Sequence, residues 1–158
     1  MKNTFKRSGA ALISLVLLLV LAVSAGAASS QNVGVKFWKE RSDKESMANS
    51  GIDPDRTAAL TRQANGTYTL TLPVMQVSKL GVTGYLSGLT IGDVTYDGTL
   101  TGDFNKATAV LTIKNLPASV RTGSDVNKSV LVTCNIQMDL QVLGEINTSA
   151  RMCIWNQK

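Results

Sequence analysis

The stretch from residue 129 to residue 142 reads SVLVTCNIQMDLQV, and it carries the clearest structural pattern in the chain. Apolar and polar residues alternate along it almost without interruption. Because successive side chains of a β-strand point to opposite faces, this alternation predicts one long strand with a buried face and a polar face. The positions on the predicted buried face are Val130, Val132, Cys134, Ile136, Met138, Leu140 and Val142.

The segment after this strand repeats the pattern on the way back. Gly144 is placed to turn the chain, and Ala150, Met152 and Ile154 then put apolar side chains at every second position. The two segments together predict a terminal hairpin whose apolar residues share one face.

A second hairpin is predicted in the first half of the chain. Asn65-Gly66 is a favoured tight-turn dipeptide, and it separates Ala58–Gln63 from the alternating run Thr67–Val74. A helix that starts at Asp53-Pro54 is the alternative for the first of these segments. A strand is preferred there because the second segment needs a partner.

Three more features extend the β pattern. Tyr85–Ile91 and Ala107–Ile113 both alternate, and the second run ends at the break Asn115-Leu116-Pro117. Asp97-Gly98 predicts a further tight turn, between Val94–Tyr96 and Thr99–Gly102. Seven to nine short strands, each with one apolar face, therefore predict an all-β fold built as an antiparallel β-sandwich.

One short helix is expected after the first strand, which includes Val35 and Phe37. Ser42 and Glu45 have the spacing of a capping box, in which each side chain bonds the other residue's backbone. Gly51 stands where such a helix would end. The pattern predicts a helix over Asp43–Asn49.

The N-terminal segment has the order of a signal peptide. Positive charge at Lys2, Lys6 and Arg7 precedes an apolar run over residues 10–23, and Ala25-Gly26-Ala27 supplies small residues for cleavage. We therefore expect a signal peptide over residues 1–27 and one domain over residues 28–158. An uncleaved anchor is the alternative, but the run is shorter than the roughly 20 residues of a spanning helix.

This signal predicts a secreted, extracellular protein, either free or retained at the cell surface by a partner, with no membrane insertion after cleavage. Three of the sixteen basic residues lie in the signal, which leaves thirteen against eleven acidic ones, a net charge of +2. No cluster of basic residues alternates with aromatic ones, so a nucleic acid is not an expected partner.

The composition also argues against an enzyme. The chain has no histidine, the most frequent general base and metal ligand of proteins. It contains no G-x-S-x-G motif, and its acidic residues are scattered. We expect a binding protein.

The chain has two cysteines, Cys134 and Cys153. An oxidising compartment permits a disulfide between them. In the predicted hairpin, however, Cys134 points inward and Cys153 outward, so that the bridge would require a bulge in one strand. A possible disulfide between Cys134 and Cys153 stays open on these grounds.

Four stretches give the chain from about Val35 to Trp155 its resemblance to the NEAT (near-iron-transporter) domains of bacterial surface haem-uptake proteins. They are Phe37-Trp38 followed by Ser42 to Asn49 with its Ser46-Met47-Ala48 signature, Ala59-Leu60 to Leu72, Gly81 to Leu86, and Asn115-Leu116-Pro117 with the terminal hairpin. The resemblance implies an immunoglobulin-like β-sandwich that binds haem as its cofactor, edge-on between the short helix and the last hairpin.

The resemblance also implies roles for individual residues. Ser46 would contact a haem propionate, and Met47 would pack near the distal face of the porphyrin. Met138 and Leu140 would form the hairpin wall. The chain departs from the family in one respect, because the iron-ligating tyrosine of the terminal hairpin is missing: no tyrosine lies between Ser129 and Lys158.

Met138 is the replacement ligand that this hairpin offers. A thioether sulfur ligates haem iron in some proteins and favours the reduced state. Core packing is the alternative role of Met138, because it lies on the predicted inward face. Two functions follow as hypotheses. The first is a haem-binding module for iron acquisition, whose partners are haem, a haem-bearing host protein or other surface proteins. The alternative is an adhesive or structural immunoglobulin-like module that has lost the haem site.

Overall fold

The computed structural model describes residues 28–79, 81–139 and 144–158. The signal peptide predicted for residues 1–27 and the candidate wall residue Leu140 therefore lie outside the described residues. Within them, every helix is too short or too polar to span a lipid bilayer. The strands are β1 (Ser29–Lys39), β2 (Ala58–Arg62), β3 (Tyr68–Pro73), β4 (Val77–Lys79), β5 (Val82–Ile91), β6 (Val94–Thr101), β7 (Val110–Leu116), β8 (Val130–Met138) and β9 (Glu145–Asn156).

All strand pairs are antiparallel, and they follow the order β4-β5-β6-β7-β3-β2-β1-β9-β8. An additional pairing between β5 and β8 joins the two ends of this order. Strands β5 to β9, together with β1, β2 and β3, thus form a closed, barrel-like ring of eight strands. Strand β8 pairs with one edge of β5. The other edge pairs with β4 near the start of β5 and with β6 near its end.

The all-β prediction is confirmed, whereas an immunoglobulin-like sandwich is not. Two separate sheets require free edges between them, and the β5–β8 ladder closes the edge at which they would part. The alternation that predicted the strands describes which side chains enter the barrel, but it carries no information on whether a sheet closes.

The predicted apolar faces form the interior of the barrel. Val132 and Cys134 of β8 are buried, as are Ala150, Met152 and Ile154 of β9. Other strands contribute Phe37, Leu60, Leu70, Leu72, Leu89, Leu111 and Ile113. Burying each large apolar side chain contributes about 1.5–3 kcal/mol. The burial of the apolar residues at every second strand position is therefore the main driving force for this fold.

The hairpin predicted at Asn65-Gly66 is confirmed, since β2 and β3 pair on either side of it and Gly66 has a positive φ of 83°. The turn predicted at Asp97-Gly98 is wrong. Strand β6 runs straight through Gly98, and the chain turns at Gly92 instead. A Cβ at Gly98 would clash with Leu111, so this glycine permits close packing.

The helix predicted over Asp43–Asn49 is not confirmed. The chain bends over residues 42–44, stays extended at Ser46, and then makes one 3-10 turn over Met47–Gly51, which we call the lip turn. Ser46, not Ser42, caps it. Glu45 forms a bridge with Trp38 and an ion pair with Lys36 at 2.5 Å, which holds it in β conformation.

The strand predicted from Ala107 begins later, at Val110. Ala107 instead ends the 3-10 turn Phe104–Lys106 with a left-handed backbone.

The disulfide considered between Cys134 and Cys153 is not formed. Both residues are buried free thiols. Cys134 is paired with Thr148, and Cys153 lies five residues further along β9, about 17 Å away at the usual strand rise. A disulfide requires Cα atoms within about 7 Å of each other.

Candidate functional site

An apolar groove lies at the end of the barrel where the lip turn faces β5, β8 and the start of β9. Its volume is about 370 Å³. Twelve described residues line it, and only Tyr85 and Thr148 among them have a polar side chain. The ten others are Met47, Ala48, Gly51, Val77, Val82, Gly84, Leu86, Ile136, Met138 and Ile146. No charged side chain belongs to this lining.

The lip turn is built so that Met47 is the residue presented outward. The Ser46 side chain accepts a hydrogen bond from the Ala48 N–H at 3.3 Å, which caps the turn. Ser46 and Ala48 are both buried, whereas Met47 between them is 59% exposed. Met47 is thus an exposed apolar side chain that adjoins the apolar lining of the groove, and a contiguous patch of this kind is a feature of a contact surface.

Asn49 fastens the lip turn to β1. Its Oδ1 accepts a hydrogen bond from the Phe37 N–H at 2.8 Å, and its Nδ2 donates to the Phe37 carbonyl at 2.7 Å. Nδ2 also donates to the Ser46 carbonyl at 3.1 Å. The amide thus continues the ladder at a point where β1 has no strand partner on that side.

Arg151 of β9 holds the connection between β1 and the lip turn. Its guanidinium donates to the carbonyls of Lys39 and Ser42 at 3.1 and 2.9 Å, and to the carboxylate of Asp43 at 2.6 Å. A guanidinium has five N–H donors in one plane, so a single arginine can bond several carbonyl and carboxylate oxygens of the same loop. The lip is therefore anchored to both neighbouring strands.

The opposite wall depends on a close contact between Gly84 and Met138, which are paired across β5 and β8. A Cβ at Gly84 would lie 2.7 Å from the Met138 sulfur and 2.9 Å from the Gln137 carbonyl oxygen. The missing side chain of Gly84 therefore leaves the space that the Met138 sulfur occupies at the groove.

The structure brings two of the predicted site residues together on this groove. Met47 stands on the lip and Met138 on the opposite wall. Met138 is half-buried, so it borders the groove and is not a fully enclosed core residue. Ser46 lies behind the lip as its cap and does not line the groove. Leu140 lies outside the described residues.

Several lining residues were missed by sequence reasoning. Tyr85 borders the groove and its ring lies 5.3 Å from that of Phe104. Ile136 and Ile146 face each other across the terminal hairpin and also line the groove. Ile146 is 42% exposed. The sequence could not predict this exposure, because the alternation of apolar and polar residues does not show where the barrel ends.

The nearby cysteines offer no ligand or nucleophile. Burial raises the pKa of Cys134 to about 12, so that its thiol is protonated at neutral pH. The Cys153 thiol lies 3.6 Å from the Asp125 carbonyl oxygen, away from the groove. Among the described residues, no group of three or more Cys, Asp or Glu side chains is arranged to hold a metal ion.

Comparison with known proteins supports the fold. No protein-family model matches the sequence. No curated protein matches it either. Solved structures do match it, including two of one domain. One is the NEAT5 domain of IsdX2, a B. anthracis hemophore in complex with heme, at a TM-score of 0.53 and 11% sequence identity, covering 83% of this chain and 98% of that chain. A point mutant of the same domain with heme gives the same values.

At this identity the likeness establishes the architecture alone. It agrees with the four stretches of sequence that predicted it, including the Ser46-Met47-Ala48 signature at the lip. The chain therefore has a NEAT-like fold.

Proposed function

We propose that this protein binds haem, or a porphyrin of similar shape, in the apolar groove and releases it chemically unchanged. The observation that carries the proposal is the groove, whose uncharged lining is flanked by Met47 on an anchored lip and Met138 on the facing wall. A porphyrin is flat and apolar except for its propionates. An edge-on ring would bury its faces here and leave the propionates in water.

The side chains at the groove fit the ring better than they fit the iron. Ten apolar residues supply contact area for the macrocycle, while histidine is absent from the whole chain. The two thioethers are the soft donors of the lining. Haem, when bound, would bring a redox-active iron, for which we propose Met138 as the protein ligand. A thioether favours the reduced iron.

Ser46, Met47 and Leu140 would serve the porphyrin itself. Ser46 is buried behind the lip, so in place of the propionate contact that the family resemblance implies we propose an indirect role: its hydroxyl caps the lip turn and thereby holds Met47 toward the ring. Met47 would cover one face of the ring, since its thioether side chain adapts to flat aromatic surfaces. Leu140 would extend the hairpin wall beyond Met138.

The location and partners follow from the same proposal. The signal sequence over residues 1–27 would send the domain over residues 28–158 out of the cell. Haem-bearing host proteins or other surface proteins would then deliver or receive the ligand. The protein's part in iron acquisition is capture and transfer, with no chemical conversion.

Titration of the purified protein with haemin, with and without dithionite, tests the proposal. We expect a shifted Soret band at a stoichiometry of one. Met47→Ala should weaken binding by removing lip contacts. Met75→Ala is the matched control, because Met75 is exposed but does not line the groove. A spectrum identical to that of free haemin at micromolar protein would contradict the proposal.

A second function is favoured by one observation. The terminal hairpin has no tyrosine, and its described groove residues provide no nitrogen donor. A module that has lost the haem site and keeps the scaffold for adhesion would show this pattern. Such a module would leave the haemin spectrum unchanged and would bind a surface polymer or a host protein without a porphyrin.

A further inference from the structure

A second cleft lies at the opposite end of the barrel from the apolar groove. Its volume is about 420 Å³, and its lining includes Tyr68, Arg121, Trp155 and Asn156. Thr148 lines the groove, and Trp155 lies seven residues further along β9, about 23 Å away at the usual strand rise. The two sites are separate, so nothing about this cleft depends on the proposed porphyrin function.

The walls of this cleft are fixed to each other. The loop after β7 forms one wall and the end of β9 forms the other. Gly123 donates its N–H to the Ile154 carbonyl at 3.0 Å, and Ile154 donates its N–H to the Thr122 hydroxyl at 3.0 Å. Because both bonds join the loop to β9, the cleft is formed before any ligand arrives.

Trp155 supplies a rigid platform. It pairs with Gly34 of β1, and its indole lies across that residue so closely that a Cβ at Gly34 would overlap the ring. One side of the indole thus rests on the β1 backbone. Trp155 is half-buried and lines the cleft, so the part of the indole that the β1 backbone does not cover is available to a ligand.

Arg121 supplies charge next to this platform. Its guanidinium carbon lies 5.9 Å from the centre of the Tyr68 ring, and the residue is exposed. It forms no ion pair with any described residue. An exposed guanidinium that is held near an aromatic ring can bind a carboxylate through two parallel hydrogen bonds.

The combination defines the ligand chemistry. An open cleft with an aromatic platform, an arginine and the amide of Asn156 suits a ring that has an apolar face, many hydroxyl groups and one negative charge. The C–H face of a pyranose stacks on indole, and its hydroxyls bond to amides and water. A purely apolar ligand would leave the arginine and the amide without partners. We propose that this cleft binds a carboxylated sugar, with Trp155 under the ring and Arg121 on the carboxylate.

Calorimetric titration of the purified protein with trigalacturonic acid and with its methyl ester tests the proposal. The two probes share their rings and differ in charge. We expect the acid to bind more tightly than the ester. Arg121→Gln should lower the affinity for the acid about tenfold and leave that for the ester unchanged. Trp155→Ala should weaken both, and Trp155→Phe should retain both because it keeps a ring.

Arg62→Gln is the control, because Arg62 is an exposed arginine that pairs with Tyr68 across the strands but does not line the cleft. Equal affinity for acid and ester, or an equal loss in the Arg62 and Arg121 variants, would overturn the proposal. Displacement of the acid by inorganic phosphate at the same concentration would also overturn it, since it would show a general anion site. Circular dichroism of each variant separates these outcomes from unfolding.

Discussion

Asn49 pairs with both backbone polar groups of Phe37, through hydrogen bonds of 2.8 and 2.7 Å. A side chain thereby takes the place of a neighbouring strand beside β1. This anchor fixes the lip turn, in which Met47 is exposed beside the groove while Ser46 and Ala48 are buried. The lip is therefore organised before ligand binding, which lowers the entropic cost of capturing a rigid guest.

Asn49→Ala should destabilise the protein by about 1–3 kcal/mol, because it leaves the Phe37 N–H without its partner and removes one of the two donors to the Phe37 carbonyl, which keeps the Ser46 N–H. It should also weaken porphyrin binding by loosening the lip. Urea unfolding and hydrogen exchange over residues 46–51 measure the two effects. Ser50→Ala is the control, since Ser50 is an exposed residue of the same turn. Unchanged exchange protection in the Asn49 variant would show that the lip is held by other contacts.

Gly84→Ala should destabilise the protein by about 1–3 kcal/mol, because the new methyl group meets the Met138 sulfur and the Gln137 carbonyl. Gly51→Ala is the matched control in the same groove. A Cβ there meets its nearest neighbour, Val77, only at 3.9 Å, so we expect a change below about 0.5 kcal/mol. Equal unfolding free energies for the two variants would contradict the close contact at Gly84.

Met138→Leu should separate iron ligation from porphyrin contact. Leucine fills a similar volume but has no sulfur donor, so the affinity for metal-free protoporphyrin should stay within about threefold of that of the unmodified protein. The affinity for haem under reducing conditions should fall by more than about threefold, because the variant lacks the sulfur ligand. Absorption titrations with both ligands provide the comparison. Equal losses for the two ligands would assign Met138 to packing alone.

The pH dependence of stability should reveal Cys134. Burial raises the pKa of its thiol from 9.0 to about 12. The unfolded chain therefore releases this proton first, so the contribution to stability is fully present below pH 9 and is lost as the pH rises toward 12. The slope approaches about 1.4 kcal/mol per pH unit. Urea unfolding above pH 9 should show a shallower decline in Cys134→Ala, compared with the unmodified protein.

Cys153→Ala serves as the comparison for the alkaline measurement, since it also removes a buried thiol. Parallel declines in both variants and the unmodified protein would mean that the Cys134 proton does not control the alkaline limb.

The sequence predicted the strands better than their assembly. Alternation identified the buried faces of β8 and β9 because a strand with one buried face must repeat every two residues. It could not show that β5 and β8 pair, because closure depends on contacts between residues about 50 positions apart. The sequence predicted a turn at Gly98. In the structure Gly98 lies within β6, where the absence of a side chain leaves room for Leu111 to pack.

Part of the lining of the apolar groove was predicted, whereas its role as a binding site stays a proposal. The Ser46-Met47-Ala48 signature located the lip, and the terminal hairpin located Met138 on the facing wall. The cap at Ser46 and the Asn49 anchor were missed, because local spacing favoured a helix that starts at Ser42. Tyr85 was missed as a lining residue since it belongs to a central strand, and only the fold brings that strand beside the lip.

Methyl NMR of the purified protein with metal-free protoporphyrin tests the central claim most directly, because ring currents shift only the methyl groups beside the porphyrin. The groove proposal predicts large shifts for Met47, Met138 and Ile146, and none for Ala118 at the opposite cleft. Saturable binding with shifts at Ala118 and unmoved methionine methyls would place the porphyrin elsewhere and contradict the account.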